Sequence, residues 1–465
     1  MKTILRLSGK QHEALRSHLF PGDDLESVAL LLCGQHCSDN GTVLTVRELF
    51  LIPIAACTIR TPYRLTWDTD AIVPALLTAE AKNLSVVKIH SHPGGYSEFS
   101  ECDDSADRDL FPSIYGWVDG DQPHGSAVML PDGRIFGRTV SPERVFRPFD
   151  RVTVVGDDLR ILEYGTINGA LDGFAARHAQ AFGEGTTLLL QSLSIAVVGC
   201  SGTGSPIVEQ LGRYGVKKLV LVDPDAVEDV NLNRISGSRT SDAAVRASKV
   251  EVQARVIQEM DLGTEVVCFQ TDILDPTVIS AVADCDIVFG CMDSVDGRFF
   301  LNRLASVYHV AYFDVGVKLI ADGAGGISHV CGSVNYLQPD GSSLMSRGVF
   351  SAEDLHAASL KRSDPDAYKQ QVREKYIKGA NETRPAVVSV NTLFSSLAVL
   401  EMLARLHPYR DDPNSGFALY GLSLNVPCLD QATDGERCLA VTRFCGHGEM
   451  VPLLGVPTVT SAVAI

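Results

Sequence analysis

Two histidines, His90 and His92, stand two residues apart in the stretch "HSHPGGYSEFSECDD", and Ser100 and Asp103 follow within the same run. Positions two apart on an extended strand end share a face, so both imidazoles point to one side. Pro93, Gly94 and Gly95 then break the strand and allow a turn. Ser100 suits the N-cap of a helix beginning there, with Asp103 in its first turn. Two imidazoles and one carboxylate, with a fourth position left to water, form the ligand set of a catalytic zinc site. Such an ion lowers the pKa of its water and polarises a carbonyl under attack. A lone His-x-His pair would more simply be two surface histidines beside a turn.

A second stretch of different character is "IAVVGCSGTGSPIVEQLGRYGVKKLVLVDPD". Its order is strand, glycine turn, helix, strand, acid. Gly199, Gly202 and Gly204 let backbone amides approach phosphates at the amino end of a helix, and Asp223 can hydrogen-bond a ribose hydroxyl. Taken alone, that pattern fits a nicotinamide or flavin dehydrogenase equally well. "VNLNRI" adds Asn231, Asn233 and Arg234, "RASKVEV" adds Lys249, and "CMDSVDGRFFLN" adds Asp293 and Arg298. A dehydrogenase has no need of these. An enzyme that adenylates a carboxylate needs cations on the triphosphate of ATP and an acid to hold Mg²⁺.

The elements that must position these residues are legible in outline. "ESVALLLCG", "TVLTVRELFLIPI" and "SVVKIH" read as strands, "DAIVPALLTAEAKN" has helical spacing, and "SAVMLPDGRIFGR" is a hairpin turning at Asp132-Gly133. Residues 1–150 thus form a mixed α/β domain, with 151–165 as a linker. From 166 to 450 short β-branched runs alternate with helices, which predicts a mostly parallel, Rossmann-like sheet with helices on both faces. The polar stretch 340–385 is too long for a simple connection and is expected to be a mobile functional loop with some helix. "AVVSVNTLFSSLAVLEMLARL" then returns as an apolar helix.

Composition bounds the partners. The 465 residues are 45% hydrophobic and 21% charged, as in ordinary globular chains, and the net charge of -17 argues against general nucleic-acid binding or an anionic membrane surface. The 12 cysteines lie scattered, several in apolar runs, so reduced buried thiols in a cytoplasmic protein are expected. The amino terminus does not read as a signal peptide, and no run approaches the ~20 apolar residues of a membrane span.

The string His-x-His-Pro, then Ser-x-x-Asp, resembles the JAMM/JAB (MPN-type) metalloproteases, zinc isopeptidases that remove ubiquitin-like modifiers. Over residues 5 to 145 the resemblance implies zinc on His90, His92 and Asp103, with Ser100 helping to stabilise a tetrahedral oxyanion. It also implies a general-base glutamate just before an apolar strand ending in glycine. "LESVALLLCG" points to Glu26, with Glu48 in "VRELF" a weaker substitute. With a complete ligand set, an active protease domain is expected.

The second constellation resembles the ThiF/MoeB-like superfamily, which includes ubiquitin-activating enzymes, from about residue 165 to 410. Residue by residue, Gly202, Asp223, Asn231, Arg234, Lys249 and Asp293 fall on that family's ATP and Mg²⁺ positions. "ARHAQAFGEG" resembles its helix that donates an arginine across a homodimer, which points to Arg177; an ordinary surface arginine is the alternative. Ser201 stands where the family usually has a third glycine. Many relatives carry a thioester cysteine in the crossover loop, but 338–385 holds none. Cys331 precedes that loop in an apolar strand, as a buried thiol. Cys428, Cys438 and Cys445, near His447, lack paired Cys-x-x-Cys spacing, so the thioester step and a second metal site stay open.

Together the resemblances imply a bifunctional enzyme of a bacterial ubiquitin-like modifier pathway. One domain cleaves after the modifier's carboxy terminus; the other adenylates that carboxylate with ATP, and a conjugating enzyme is a possible further partner. Two alternatives stand beside it: processing and activation of a sulfur carrier for cysteine, thiamin or molybdopterin-type biosynthesis, and a non-catalytic zinc module delivering modifier to the adenylating domain.

Overall fold

The computed structural model describes residues 2–163, 173–322, 324, 326–374 and 386–456. The chain divides into two compact units: Met1–Thr166 with Ser306–His309 and Phe444–Val451, and Ile167–Ala305 with Val310–Arg443 and Pro452–Ile465. Among the described residues no helix is long and apolar enough to cross a membrane.

The first unit contains β1 (Thr3–Ser8), β2 (Val28–Ser38), β3 (Gly41–Leu51), β4 (Cys57–Arg60), β5 (Leu65–Trp67), β6 (Ser85–Ser91), β7 (His124–Met129), β8 (Ile135–Val140), β9 (Phe146–Pro148), β10 (Arg151–Val155) and β11 (Leu159–Glu163). Nine of these form one mixed sheet in the order β11-β10-β1-β3-β2-β6-β7-β8-β9, and β4 pairs with β5 alone. The helices are α1 (Gly9–Leu19), α2 (Val73–Lys82) and α3 (Glu101–Trp117). Along β2, Ala29, Leu31 and Cys33 pack with Leu15 and Leu19 of α1. Val28, Leu30 and Leu32 pack with Leu76 of α2 and with Phe111 and Ile114 of α3. Both faces are covered, which is why "VALLLC" is an unbroken apolar run rather than an alternating one. Each such leucine contributes about 2 kcal/mol by leaving water.

The expected strands β2, β3 and β6, the helix α2 and the β7–β8 hairpin are all present. The linker expected at 151–165 is replaced by strands over its described part, 151–163. Residues 151–155 are β10, which pairs in parallel with β1 from Ile4↔Arg151 to Ser8↔Val155, and 159–163 are β11, antiparallel to β10. The cause is the β-branched run "RVTVV", whose Val152 and Val154 point into the α1-side core.

In the second unit the strands are β12 (Ser194–Val198), β13 (Lys218–Val222), β14 (Glu265–Phe269), β15 (Ile287–Gly290), β16 (Ala311–Ala321), β17 (Ile327–Leu337), β18 (Leu419–Ser423) and β19 (Cys428–Ala432). Their order is β14-β13-β12-β15-β16-β17-β18-β19. The five from β14 to β16 run parallel, and β17, β18 and β19 extend the sheet antiparallel. The order turns back at β12, between β13 and β15, the place where open α/β sheets leave a crevice for ligands. Helices α4 (Ala176–Leu190), α5 (Gly204–Arg213), α6 (Thr240–Ala244) and α7 (Lys249–Met260) belong to this unit, as does the late apolar helix Val388–Leu406. Within the polar stretch 340–385 the structure has helices Ala352–Ser363 and Pro365–Arg373; residues 375–385 of the expected mobile loop lie outside the described residues.

Candidate functional site

The first unit brings the predicted ligands together. β6 carries His90 near its end and His92 just beyond it, both buried. Ser100 caps α3: its hydroxyl accepts the Asp103 N–H at 3.2 Å, and the Asp103 carboxylate accepts the Ser100 N–H at 2.7 Å. This capping box fixes the Asp103 rotamer at the helix start. Asp103 then reaches His90 Nε2 at 2.9 Å and His92 Nε2 at 3.5 Å, and the two Nε2 atoms stand 3.1 Å apart. The Ser100 hydroxyl also donates to Asp103 Oδ2 at 2.7 Å, so in this arrangement Ser100 serves the carboxylate rather than facing a reacting oxygen.

Burial lowers the His90 pKa. In His92 burial works the same way but is outweighed by Asp103 and the Tyr96 carbonyl, which raise it. Burial likewise opposes the Asp103 charge, but the hydrogen bonds from His90, His92 and Ser100 hold that carboxyl well below its usual range. The Tyr96 carbonyl can only accept, so His92 Nδ1, 2.8 Å away, carries a proton and Nε2 is free to ligate. Among the described residues this is the one group of three whose ligand atoms all lie within 4.8 Å of one another. Two imidazole nitrogens and a carboxylate converging on a point that favours positive charge fit zinc.

Glu26 arrives through strand register. Val28 lies opposite His90 in the β2–β6 ladder, which places Glu26 at the level of His92. It is buried, and burial pushes its carboxyl up to about 7, with His92 pulling the other way. The substitute Glu48 is elsewhere: it is half exposed on β3 and pairs with Lys82 at 2.5 Å.

In the second unit a cavity of about 710 Å³ opens at the β12 switch point, lined among others by Gly199, Gly202, Asp223, Asn231, Lys249 and Asp293. Gly199 takes φ +96°, and a Cβ on Gly204 would sit 1.8 Å from the Gly199 carbonyl oxygen. Gly204 therefore closes the turn from behind and does not line the cavity. Buried Asp223 accepts N–H groups from Cys200 at 2.8 Å and Asp225 at 2.9 Å, which anchors it against the turn. Lys249 at the start of α7 lies 2.7 Å from Asp225 and 3.8 Å from Asp223. Asp293 is exposed at the rim, beside Arg298, which grips buried Asp314 with two bonds of 2.8 and 2.5 Å. A glycine turn at a helix start, an acid, a lysine and an exposed rim carboxylate fit a nucleoside triphosphate with Mg²⁺.

Not every expected residue joins. Asn233 is not in the cavity lining; its amide donates to the Ala386 carbonyl at 3.2 Å. Arg234 lines the cavity, but in this arrangement it donates to the Val230 carbonyl at 2.5 Å and to Asn233 at 3.1 Å. Arg177 is exposed on α4, bonded to Gln180 at 3.1 Å and outside the cavity. Cys331 is half-buried in β17 rather than fully buried. Exposed Cys428 on β19 lies 3.3 Å from Asp430, whose carboxylate pushes its thiol up. Cys428, Cys438, Cys445 and His447 form no metal-type cluster among the described residues. Several lining residues went unnoticed in the sequence, among them Asn391, Arg362 and Arg246. Asn391 could have been found as a lone amide in an apolar helix; Arg362 gave no local signal.

One unit is a mixed sheet with a His-x-His…Asp donor set, and the other is an open α/β sheet with a glycine turn at its switch point. Residues 175–431 match the ThiF family, and residues 9–132 match the prokaryotic homologs of the JAB domain. The chain belongs to the ThiF family and carries a JAB-type domain in front of it. Mouse "Adenylyltransferase and sulfurtransferase MOCS3" is 32% identical over 117 residues, 25% of this chain and 25% of that protein. "Ubiquitin-like modifier-activating enzyme 5" of Culex quinquefasciatus is 29% identical over 189 residues, 37% of this chain and 44% of that protein. The chain thus spans less than half the length of these curated relatives. A crystal structure of E. coli MccB with ATP is 18% identical, covering 60% of this chain and 75% of that one at a TM-score of 0.43.

Proposed function

We propose that this protein handles the carboxy terminus of a small ubiquitin-like or sulfur-carrier protein twice: the front unit frees it by hydrolysis, and the second unit adenylates it. The observation that carries this is the pair of donor sets, His90–His92–Asp103 in one unit and the Asp223–Lys249–Asp293 cavity in the other. A cut after a terminal glycine yields a carboxylate, and a carboxylate is what an adenylating site consumes.

In the front unit His90, His92 and Asp103 would hold zinc, and zinc there supplies Lewis acidity to water and to the attacked carbonyl. Glu26, with its raised pKa, takes the proton from the attacking water and returns it to the leaving amine. Ser100 keeps Asp103 aimed at the two imidazoles. In the second unit the glycine turn and Lys249 bind the phosphates, Asp223 the ribose, and Asp293 would hold Mg²⁺. A carboxylate oxygen of the tail attacks the α-phosphorus, the bond to the β-phosphate oxygen breaks, and pyrophosphate leaves. Arg234 and Arg298 neutralise charge as it shifts to that leaving group. A homodimer, with Arg177 reaching a partner's cavity, belongs to the same proposal.

Both curated relatives named above support an activating role, one by a name that speaks of ubiquitin-like modifiers and the other of sulfur transfer. The test offers candidate modifiers with radiolabelled pyrophosphate and ATP. Asp293→Ala is expected to abolish exchange while keeping zinc-dependent cleavage, and His90→Ala the reverse. Loss of both activities in both variants would sink the two-site division.

A further inference from the structure

Beneath the proposed metal site lies a second link between the same two elements. Lys88 stands two residues before His90 on β6, on the same strand face, and Asp107 stands one helical turn after Asp103 on α3. Lys88 Nζ pairs with Asp107 Oδ1, so Lys88–Asp107 repeats His90–Asp103 one step deeper. Arg138 of β8 completes the cluster, bonding Asp107 Oδ2 at 2.7 Å and Asp104 Oδ1 at 2.5 Å. Its guanidinium lies 3.7 Å from the centre of the Phe99 ring and 3.8 Å from that of Phe146. Lys88 is 3% exposed, Asp107 0% and Arg138 7%.

Three charges taken this far out of water are costly to assemble, and hydrophobic residues of similar size would often be at least as stable. In this cluster what the ions can supply, and apolar residues cannot, is a fixed register. Carboxylate oxygens of Asp107 meet one partner from β6 and one from β8, so α3 cannot slide or rotate against the sheet without breaking a pair. A shift of one residue along α3 would carry Asp103 off His90. An apolar contact would tolerate such a slip; this ion cluster does not.

We infer that Lys88, Asp107 and Arg138 are positioning residues that lock α3 against β6 and thereby preorganise His90, His92 and Asp103 for the metal. The inference rests on the zinc reading of those three residues. Supporting shells of this kind change metal affinity by roughly tenfold to a hundredfold.

The test measures zinc affinity of the full chain by chelator competition and records the visible spectrum of the Co²⁺-substituted protein. Asp107→Asn is expected to bind zinc about tenfold to a hundredfold more weakly, with a broadened Co²⁺ spectrum. Lys88→Met/Asp107→Leu/Arg138→Met, which removes all three buried charges together, is expected to keep the chain folded and to show the same loosened spectrum. Lys88→Arg, which keeps a positive charge opposite Asp107, should retain near wild-type affinity. A cluster that serves stability alone would lower the melting temperature of Asp107→Asn yet leave affinity and spectrum unchanged, and that result would overturn the inference. Wild-type protein that takes up no zinc would overturn the metal reading and this inference with it.

Discussion

Ser91 donates its backbone N–H to the Ser27 carbonyl at 3.0 Å, and Ser27 donates its own to the Ser91 hydroxyl at 2.9 Å. This exchange carries the β2–β6 ladder one step past the Val28↔His90 pair, and Glu26 is thereby set at the level of His92. A group in that place, buried and poised near 7, is suited to carry a proton rather than to ligate. Glu26→Gln is therefore expected to keep full zinc content, measured by metal analysis, while cleavage of a modifier fusion falls by roughly 10²- to 10⁴-fold. Retained cleavage would remove Glu26 from the mechanism.

Arg60 of β4 holds the segment that carries Glu26. Its guanidinium donates to the Glu26 carbonyl at 2.8 Å, to the Ser27 hydroxyl at 2.8 Å and to the Leu25 carbonyl at 3.3 Å, and it pairs with Asp23. Four acceptors spread over five residues need the planar fork of an arginine, which a lysine cannot reproduce. Arg60→Lys and Arg60→Ala should both lower kcat, by about 10- to 100-fold, with KM little changed. A variant with raised KM alone would mean that Arg60 meets the substrate instead.

Among the described residues Lys249 is the cation that pairs with both Asp223 and Asp225, at 3.8 and 2.7 Å. Burial raises the Asp223 carboxyl and Lys249 works against that rise; in the proposed ATP site the lysine would also meet phosphate. Lys249→Met is expected to cut ATP–pyrophosphate exchange by about 10²-fold or more, with zinc content unchanged. Unaltered exchange would assign the phosphates to Arg234 without Lys249.

How much of this was legible in the chain follows from distance along it. His90, His92, Ser100 and Asp103 lie within one strand end and one helix start, so local rules of strand alternation and N-capping place them. The glycine turn and Asp223 are local to one strand–helix–strand unit in the same way. Glu26 could be named only by resemblance, because a β2–β6 register spans more than sixty residues and leaves no mark beside the glutamate. The stretch at 151–163 was misread for the same reason: its partner, β1, lies at the opposite end of the unit's sequence. Arg362 reaches the cavity rim by pairing with Asp296, 66 residues earlier, and with Asp272. Nothing near Arg362 in the sequence announces either partner. Asn391 is the instructive intermediate, since a lone amide in "VSVNTLFSSL" was visible but its contact with the glycine turn was not.

His124 gives a prediction that depends on neither ligand. It begins β7 fully buried, its Nδ1 accepts the Val86 N–H at 2.9 Å, and the Tyr115 ring packs against it with centroids 4.5 Å apart. Burial pushes its pKa down to about 4 from an ordinary value of 6.5. Between those two values the unfolded chain binds the proton and the folded chain does not. Stability of the first unit is therefore full above pH 6.5 and falls as pH drops toward 4, by up to about 3 kcal/mol. The two tryptophans of the chain, Trp67 and Trp117, both lie in this unit, so urea unfolding followed by their fluorescence reports on it alone. Wild-type protein should show a steeper loss of midpoint between pH 7 and pH 4.5 than His124→Leu. An NMR titration of His124 centred near 6.5, or equal slopes for the two proteins, would contradict the assignment of this ring as a neutral acceptor for Val86.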